Sequence, residues 1–224
     1  VIGADGGGRR LVRAESAYSV DWSPDGHRLV YDTSAGLFTC TAYGDSVTEI
    51  YAGVAYYPSW SPTGDHIAYD DMTHVWTIPL GGGTPLCLTT SLGGGRDPGW
   101  SPGGSALVIL AGLSPGGEVA TISSAGTLLG RVTADSYEDR APAWSPSGHQ
   151  IAWNRWITGE DGKAHPQFWI ADTSGTGARM LVAGEGYITW SPDGSRLAFS
   201  KVTGSGSKLF TVRADGSAVK QITP

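Results

Sequence analysis

The stretch Trp22-Ser23-Pro24-Asp25-Gly26 decides the reading of this chain, because it returns. WSPDG stands again at Trp190 to Gly194, with near-copies between: WSPTG from Trp60, WSPGG from Trp100 and WSPSG from Trp144. Successive tryptophans lie 38 to 46 residues apart, a period that belongs to repeat architectures. The pentapeptide is itself a turn. Pro fixes φ near the value needed at the second position, Asp, Thr or Ser suits the third, and Gly takes the left-handed conformation that closes it. Each copy therefore ends one strand and starts another.

The segments that follow read as strands. HRLVYD, HIAYDD, ALVILA, QIAWNR and RLAFSK come directly after the five turns. A second set, LFTCTA, VWTIPL, EVATISS, FWIADT and LFTVRA, follows after a gap, and a short third set closes each unit. With the strand that carries the Trp, each unit has four. Thirty-four Gly and thirteen Pro punctuate the chain too often for long helices. Four antiparallel strands every forty-odd residues are the signature of a propeller blade, and the fold expected is an all-β propeller. The innermost strand of each blade lines a central channel and wants small residues. The five repeated tryptophans are expected to wedge between neighbouring blades as buried anchors, not to form a ligand cage.

The unit W-S-P-D-G-x-x-[IL]-A-[FY], followed by an aromatic strand, a Gly turn and L-T or I-T, resembles the TolB-type β-propeller repeat. The last unit carries it almost entire, WSPDGSRLAFSKVTGSGSKLFTVRADGSAVKQIT. The resemblance covers essentially the whole chain. It implies the fold and a periplasmic or extracellular setting, and it leaves function open, since propellers of this kind serve as interaction partners, peptidase gates, lyases and receptor ectodomains.

The chain reads as one domain over residues 1–224, a section of a larger protein, with five full blades and an N-terminal half blade. VIGADGGGRRLVRA at the start aligns with FTVRADGSAVKQIT at the end, so the ring is six-bladed if that half blade is completed. Net charge is −6 with no basic run, which argues against nucleic acid and anionic membranes as partners. No apolar run reaches the length of a transmembrane helix, so no membrane insertion is expected. Cys40 and Cys87 fall in different blades at non-matching strand positions and are expected as small buried side chains rather than a disulfide. His27, His66 and His149 follow repeat turns on separate blades, which does not suit a zinc site. No metal or other cofactor is expected.

Two matches to the G-x-S-x-G nucleophile elbow, GWSPG from Gly99 and GLSPG from Gly112, lack the strand-to-helix context that exposes such a serine. No catalytic residue is assigned. Candidate binding residues lie where loops gather around the channel mouth. Past the second strands stand Asp32, Asp70, Asp71, Asn154 and Arg155, with His74 in a neighbouring loop. The blade-to-blade loops offer Tyr56, Tyr57, Arg96, Asp97, Asp139, Arg140 and Tyr187. Trp156 has no counterpart in the other units and sits in the longest inter-strand segment, NRWITGEDGKAHPQ, read as a loop over the mouth. The function expected is a non-catalytic module recognising a protein or peptide over this loop face. The alternative is an enzyme's propeller, either a peptidase gate or a lyase-like funnel that takes carbohydrate.

Overall fold

The computed structural model describes residues 11–12, 16–112, 117–204 and 206–223. Twenty strands form five four-stranded antiparallel sheets, each in simple chain order. Blade 1 comprises β1 (Val20–Trp22), β2 (Arg28–Thr33), β3 (Gly36–Thr41) and β4 (Thr48–Ala52). Blade 2 comprises β5 (Tyr56–Trp60), β6 (His66–Asp70), β7 (Val75–Pro79) and β8 (Leu86–Cys87). Blade 3 is β9 (Gly95–Trp100), β10 (Ala106–Ala111), β11 (Glu118–Ser123) and β12 (Leu128–Arg131). Blade 4 is β13 (Glu138–Trp144), β14 (Gln150–Thr158), β15 (Ala164–Asp172) and β16 (Arg179–Ala183). Blade 5 is β17 (Ile188–Trp190), β18 (Arg196–Thr203), β19 (Gly206–Arg213) and β20 (Lys220–Gln221). The chain is a propeller of five such blades. The N-terminal hairpin expected over residues 1–14 lies outside the described residues except for Leu11 and Val12. The GLSPG segment lies outside them beyond Gly112.

The repeated turn behaves as its residues require. Gly26, Gly64, Gly104, Gly148 and Gly194 all have positive φ, between 69° and 80°, and each amide donates to the carbonyl of the repeat serine at 2.9 Å. The serine does more than its place in the turn suggests. Its hydroxyl oxygen accepts the backbone N–H of the first residue of the next strand, for example Arg28 to Ser23 at 2.9 Å and Gln150 to Ser145 at 3.0 Å. That side chain locks the strand-to-strand entry from inside the turn.

Blades adhere through apolar wedges, and each wedge points backward. Trp60 of blade 2 packs with Ile67 and Ile78 of its own blade against Val30, Leu37 and Ile50 of blade 1. Trp100, Trp144 and Trp190 repeat the contact one blade further on each time. The partners contributed by the preceding blade also repeat: Leu37, Val75, Val119 and Phe168 are fully buried. Their counterpart on blade 5, Leu209, is 48% exposed, and Trp22 on blade 1 is 45% exposed against 6% for Trp60. Apolar side chains thus stand exposed both on the face that blade 5 presents onward, at Leu209, and on the face that blade 1 presents backward, at Trp22, although Leu29, Tyr31 and Cys40 on that second face are buried. Val12 alone among the described residues of the N-terminal segment packs on the latter, beside Leu29, Tyr31 and Cys40.

Neither cysteine is in a disulfide; Cys40 is buried as expected and Cys87 only half-buried, where it accepts a hydrogen bond from Thr90. One expectation needs correction. NRWITGEDGKAHPQ is not a loop: β14 and β15 run on through it, pairing Trp156 with Pro166 and Thr158 with Ala164, so that only residues 159–163 turn. The extra residues lengthen a hairpin because Trp156 and Ile157 keep the strand pairing that a loop would break.

The tryptophan wedge gives a direct test. Trp60→Ala empties a buried site and should lower the unfolding free energy by about 3–5 kcal/mol, whereas Trp22→Ala should cost less than half as much. Urea unfolding of both variants measures this, and equal losses would contradict the backward-pointing wedge.

Candidate functional site

The inner strands carry a bulge whose geometry builds the channel mouth. Three residues before Trp60, Trp100 and Trp144 stand Tyr57, Asp97 and Ala141, with φ of 52°, 52° and 48°. Left-handed backbone at a non-glycine residue costs on the order of 1–3 kcal/mol and persists only where its surroundings hold it. Here a carboxylate from the preceding blade does so. Asp32 accepts the Tyr57 amide at 3.2 Å, and Asp70 accepts the Asp97 amide at 2.9 Å. Blade 3 has Leu110 at the equivalent position, and the Asp97 side chain takes over, accepting the Ala141 amide at 3.2 Å. The strand register shifts at each bulge.

These clamps consume groups that look, from position alone, like ligand contacts. Asp32 and Asp70 are completely buried. Asp32 also accepts the Ser19 amide at 2.6 Å, and Asp70 the Met72 amide at 2.9 Å. Burial pushes the Asp70 carboxyl up to about 7, against its two amide donors and Arg96, with Asp97 adding repulsion. Asp97 is raised for the same reason, burial. Asn154, the equivalent on blade 4, donates to the Gln167 and Gly184 carbonyls and accepts the Trp156 indole N–H at 2.7 Å.

Asp139 and Arg155 form a buried pair, with Nε and Nη2 bonded to the two carboxylate oxygens at 2.8 and 2.9 Å. Asp135 takes a third contact at 2.8 Å, and the guanidinium lies near the rings of Tyr137, Trp153 and Trp169. Burial works against the charge on Arg155, and these carboxylates outweigh it, so its pKa is raised. The pair joins two strands of blade 4, and the Asp135 contact ties the blade 3–blade 4 connection to it. Asp71 folds its own hairpin turn, accepting from the Thr73 and His74 amides and from the Trp76 indole, while His74 meets Trp76 edge-on. Asp71 and His74 do not line the central cavity.

What remains exposed at the mouth is aromatic. Tyr18, Tyr56, Tyr57 and Tyr187 follow one another with ring centroids 6.2, 6.5 and 6.4 Å apart, crossing from blade 1 through blade 2 to blade 5. Tyr57, Asp97, Arg140, Asn154, Trp156 and Tyr187 share one cavity of about 410 Å³, together with Glu185. Arg140 pairs with Glu138 through Nε at 2.7 Å and lies 4.5 Å above the Trp156 ring. Arg96 and Asp139 line an adjoining cavity of about 230 Å³ that shares Tyr57, Asp97 and Arg140. The Arg96 Nε is buried without a hydrogen-bond partner among the described residues. The structure therefore gathers eight of the expected residues around two adjoining cavities. It adds Val202 and Ser207, which the sequence analysis missed because they belong to a second lengthened hairpin, β18–β19, whose pairing continues to Thr203 and Gly206.

This architecture has clear relatives. A crystal structure of TolB from Acinetobacter baumannii superposes with a TM-score of 0.83 at 17% identity, covering 100% of this chain and 58% of that one. In sequence, the Tol-Pal system protein TolB of Anaeromyxobacter dehalogenans strain 2CP-C is 32% identical over 85 residues. Both comparisons thus find likeness to TolB proteins. A putative TolB from Agrobacterium tumefaciens gives a TM-score of 0.76 at 21% identity, over 95% of this chain and 83% of that one. No family model matches. The sequence match takes in 37% of this chain and 18% of that TolB, so the chain spans only a small part of the curated relatives it matches. The structural likenesses to TolB establish the fold.

The raised carboxyl of Asp70 has a consequence for stability. A carboxyl whose pKa is higher folded than unfolded holds a proton in the folded state between about pH 4 and 7, where the unfolded chain has lost it. Its contribution is complete below that window and is lost as pH rises through about 7. Asp70→Asn should therefore flatten the decline of unfolding free energy over this range, by up to about 1.4 kcal/mol per pH unit. Urea titrations at several pH values compare the slopes, and identical slopes would reject Asp70 as their source.

Proposed function

We propose that the chain is a non-catalytic binding module that holds a protein or peptide partner over the channel mouth. The observation that carries this is the cavity of about 410 Å³, lined by rings and charged groups on a rim where the Tyr57 and Asp97 amides are already bonded. Aromatic rings and Arg on a rigid support are the side chains that dominate protein interfaces. Arg96 carries a guanidinium with no ion pair among the described residues, available to a partner's carboxylate. The likeness to a Tol-Pal system protein supports a protein partner and a periplasmic or extracellular setting. No helix among the described residues is long and apolar enough to cross a membrane.

We further infer that a sixth blade stands between blades 5 and 1, with the hairpin of residues 1–14 as its outer half. Exposure of Trp22 and Leu209, positions that the other blades bury or partly bury, supports this, as does Val12 seated on blade 1. Val20, at 58% exposure, and Ile222, at 56%, widen the same two apolar faces.

Two experiments test these readings. Removing residues 1–14 should uncover the Leu29–Tyr31 face and drive association, read by sedimentation velocity; a monomer with and without them would count against the sixth blade. For the binding module, a partner is captured from periplasmic and secreted fractions, where the chain itself should also be found. Titration calorimetry should then show Arg96→Ala combined with Arg140→Ala weakening that partner by about 2–4 kcal/mol. Unchanged affinity would place the contact elsewhere, and turnover of a peptide or sugar by the purified chain would overthrow the non-enzyme reading.

A further inference from the structure

The charges around the mouth do not balance. Arg155 is taken by Asp139 and Asp135, and Arg140 by Glu138. That leaves Asp97 and Glu185 as the carboxyl groups lining the cavity whose one lining guanidinium, Arg140, is already held by Glu138. The Tyr187 phenol registers the result: its pKa is pushed up by burial, by its bond to Tyr57 and by the negative charges of Asp97 and Asp32. Into this field project ring faces, whose quadrupoles attract cations. Tyr57 and Tyr187 stand 6.4 Å apart with planes inclined at 45°, forming an open corner, and Trp156 lines the same cavity. The protein already uses this chemistry on itself, since the Arg140 guanidinium lies over the Trp156 ring at 4.5 Å.

We propose that the cavity between Tyr57, Tyr187 and Trp156 takes an organic cation, a guanidinium or alkylated ammonium group carried by the partner, with Asp97 and Glu185 balancing its charge. This rests on the reading of the mouth as a binding site and names the chemistry that enters it. Aromatic faces and carboxylates together select such a group. A neutral sugar could stack on the rings, yet it would leave both carboxylates without a counter-charge. A compact inorganic cation would gain little from the rings relative to its lost hydration. Glu185 is half-buried, and Tyr187 is 63% exposed, so both can be altered without emptying the core.

The probe is tetramethylammonium chloride, followed by ligand-observed nuclear magnetic resonance on the whole chain, with tert-butanol as the neutral isostere and cellobiose as the sugar control. Saturable tetramethylammonium binding is expected, weakened about three- to tenfold by Tyr187→Ala, largely restored in Tyr187→Phe, and weakened again in Glu185→Gln. Tert-butanol should neither bind saturably nor compete. Absence of saturable tetramethylammonium binding, equal binding of tert-butanol, preference for cellobiose, or indifference to Tyr187→Ala would each overturn the proposal. Because the probe is a small ion, a chain that ignores it yet still holds its protein partner loses this inference and keeps the proposed function.

Discussion

The arrangement of the blades depends on a buried carboxylate that reaches from one blade to a left-handed amide in the next. Apolar wedges supply adhesion, but the hydrophobic effect has no direction, and a tryptophan pressed against a flat sheet could slide or rotate. A hydrogen bond from a specific amide to a specific carboxylate fixes the angle between blades. Both ends carry a cost on their own: the backbone of Tyr57 and Asp97 is strained, and Asp32 and Asp70 are removed from water. Each is tolerable because the other is there. The Trp60 amide bonded to Asp21 at 2.8 Å adds a second tie at the blade 1–blade 2 junction.

This division of labour shapes the mouth. Asp32 and Asp70, which a ligand might have met, are instead part of the frame, and rings line the opening beside Arg140 and Glu185. With the Tyr57, Asp97 and Ala141 amides already bonded, the bulged part of the rim is held before anything lands on it, which lowers the ordering cost set against recognition. The buried Arg155–Asp139 pair extends the same rigidity to the connection entering blade 4, since removing either partner would strand a charge in the interior.

Much of this was legible in the residues. The five WSPDG-like turns announce the blades, their glycines require the positive φ they adopt, and the tryptophan anchors are buried or partly buried wherever a preceding blade exists. The role of the repeat serine was not legible, because a hydroxyl accepting an amide six residues from its tryptophan looks like any polar turn residue. Trp156 was recognised as unusual but placed in a loop, since a strand extension interrupted by Gly and Pro reads as irregular until its cross-strand partners are known. Asp32 and Asp70 illustrate the deeper difficulty. Their position at the mouth is evident from the repeat, whereas their burial depends on a bulge in the neighbouring blade, and nothing local to either aspartate reports it.

The exchange at Leu110 bears on how far the blades can be treated as modules. In blades 1 and 2 the clamp leaves from the end of the second strand; from blade 3 it leaves from Asp97 on the inner strand, whose own amide is held by Asp70. Asp97 is therefore both recipient and donor of the tie, and two junctions meet in one residue. A copy of blade 2 grafted in place of blade 3 would bring an aspartate to the position of Leu110 and a tyrosine to that of Asp97, restoring one pattern while erasing the other. The five units share an outline in their sequence, yet they are a set of parts numbered by place.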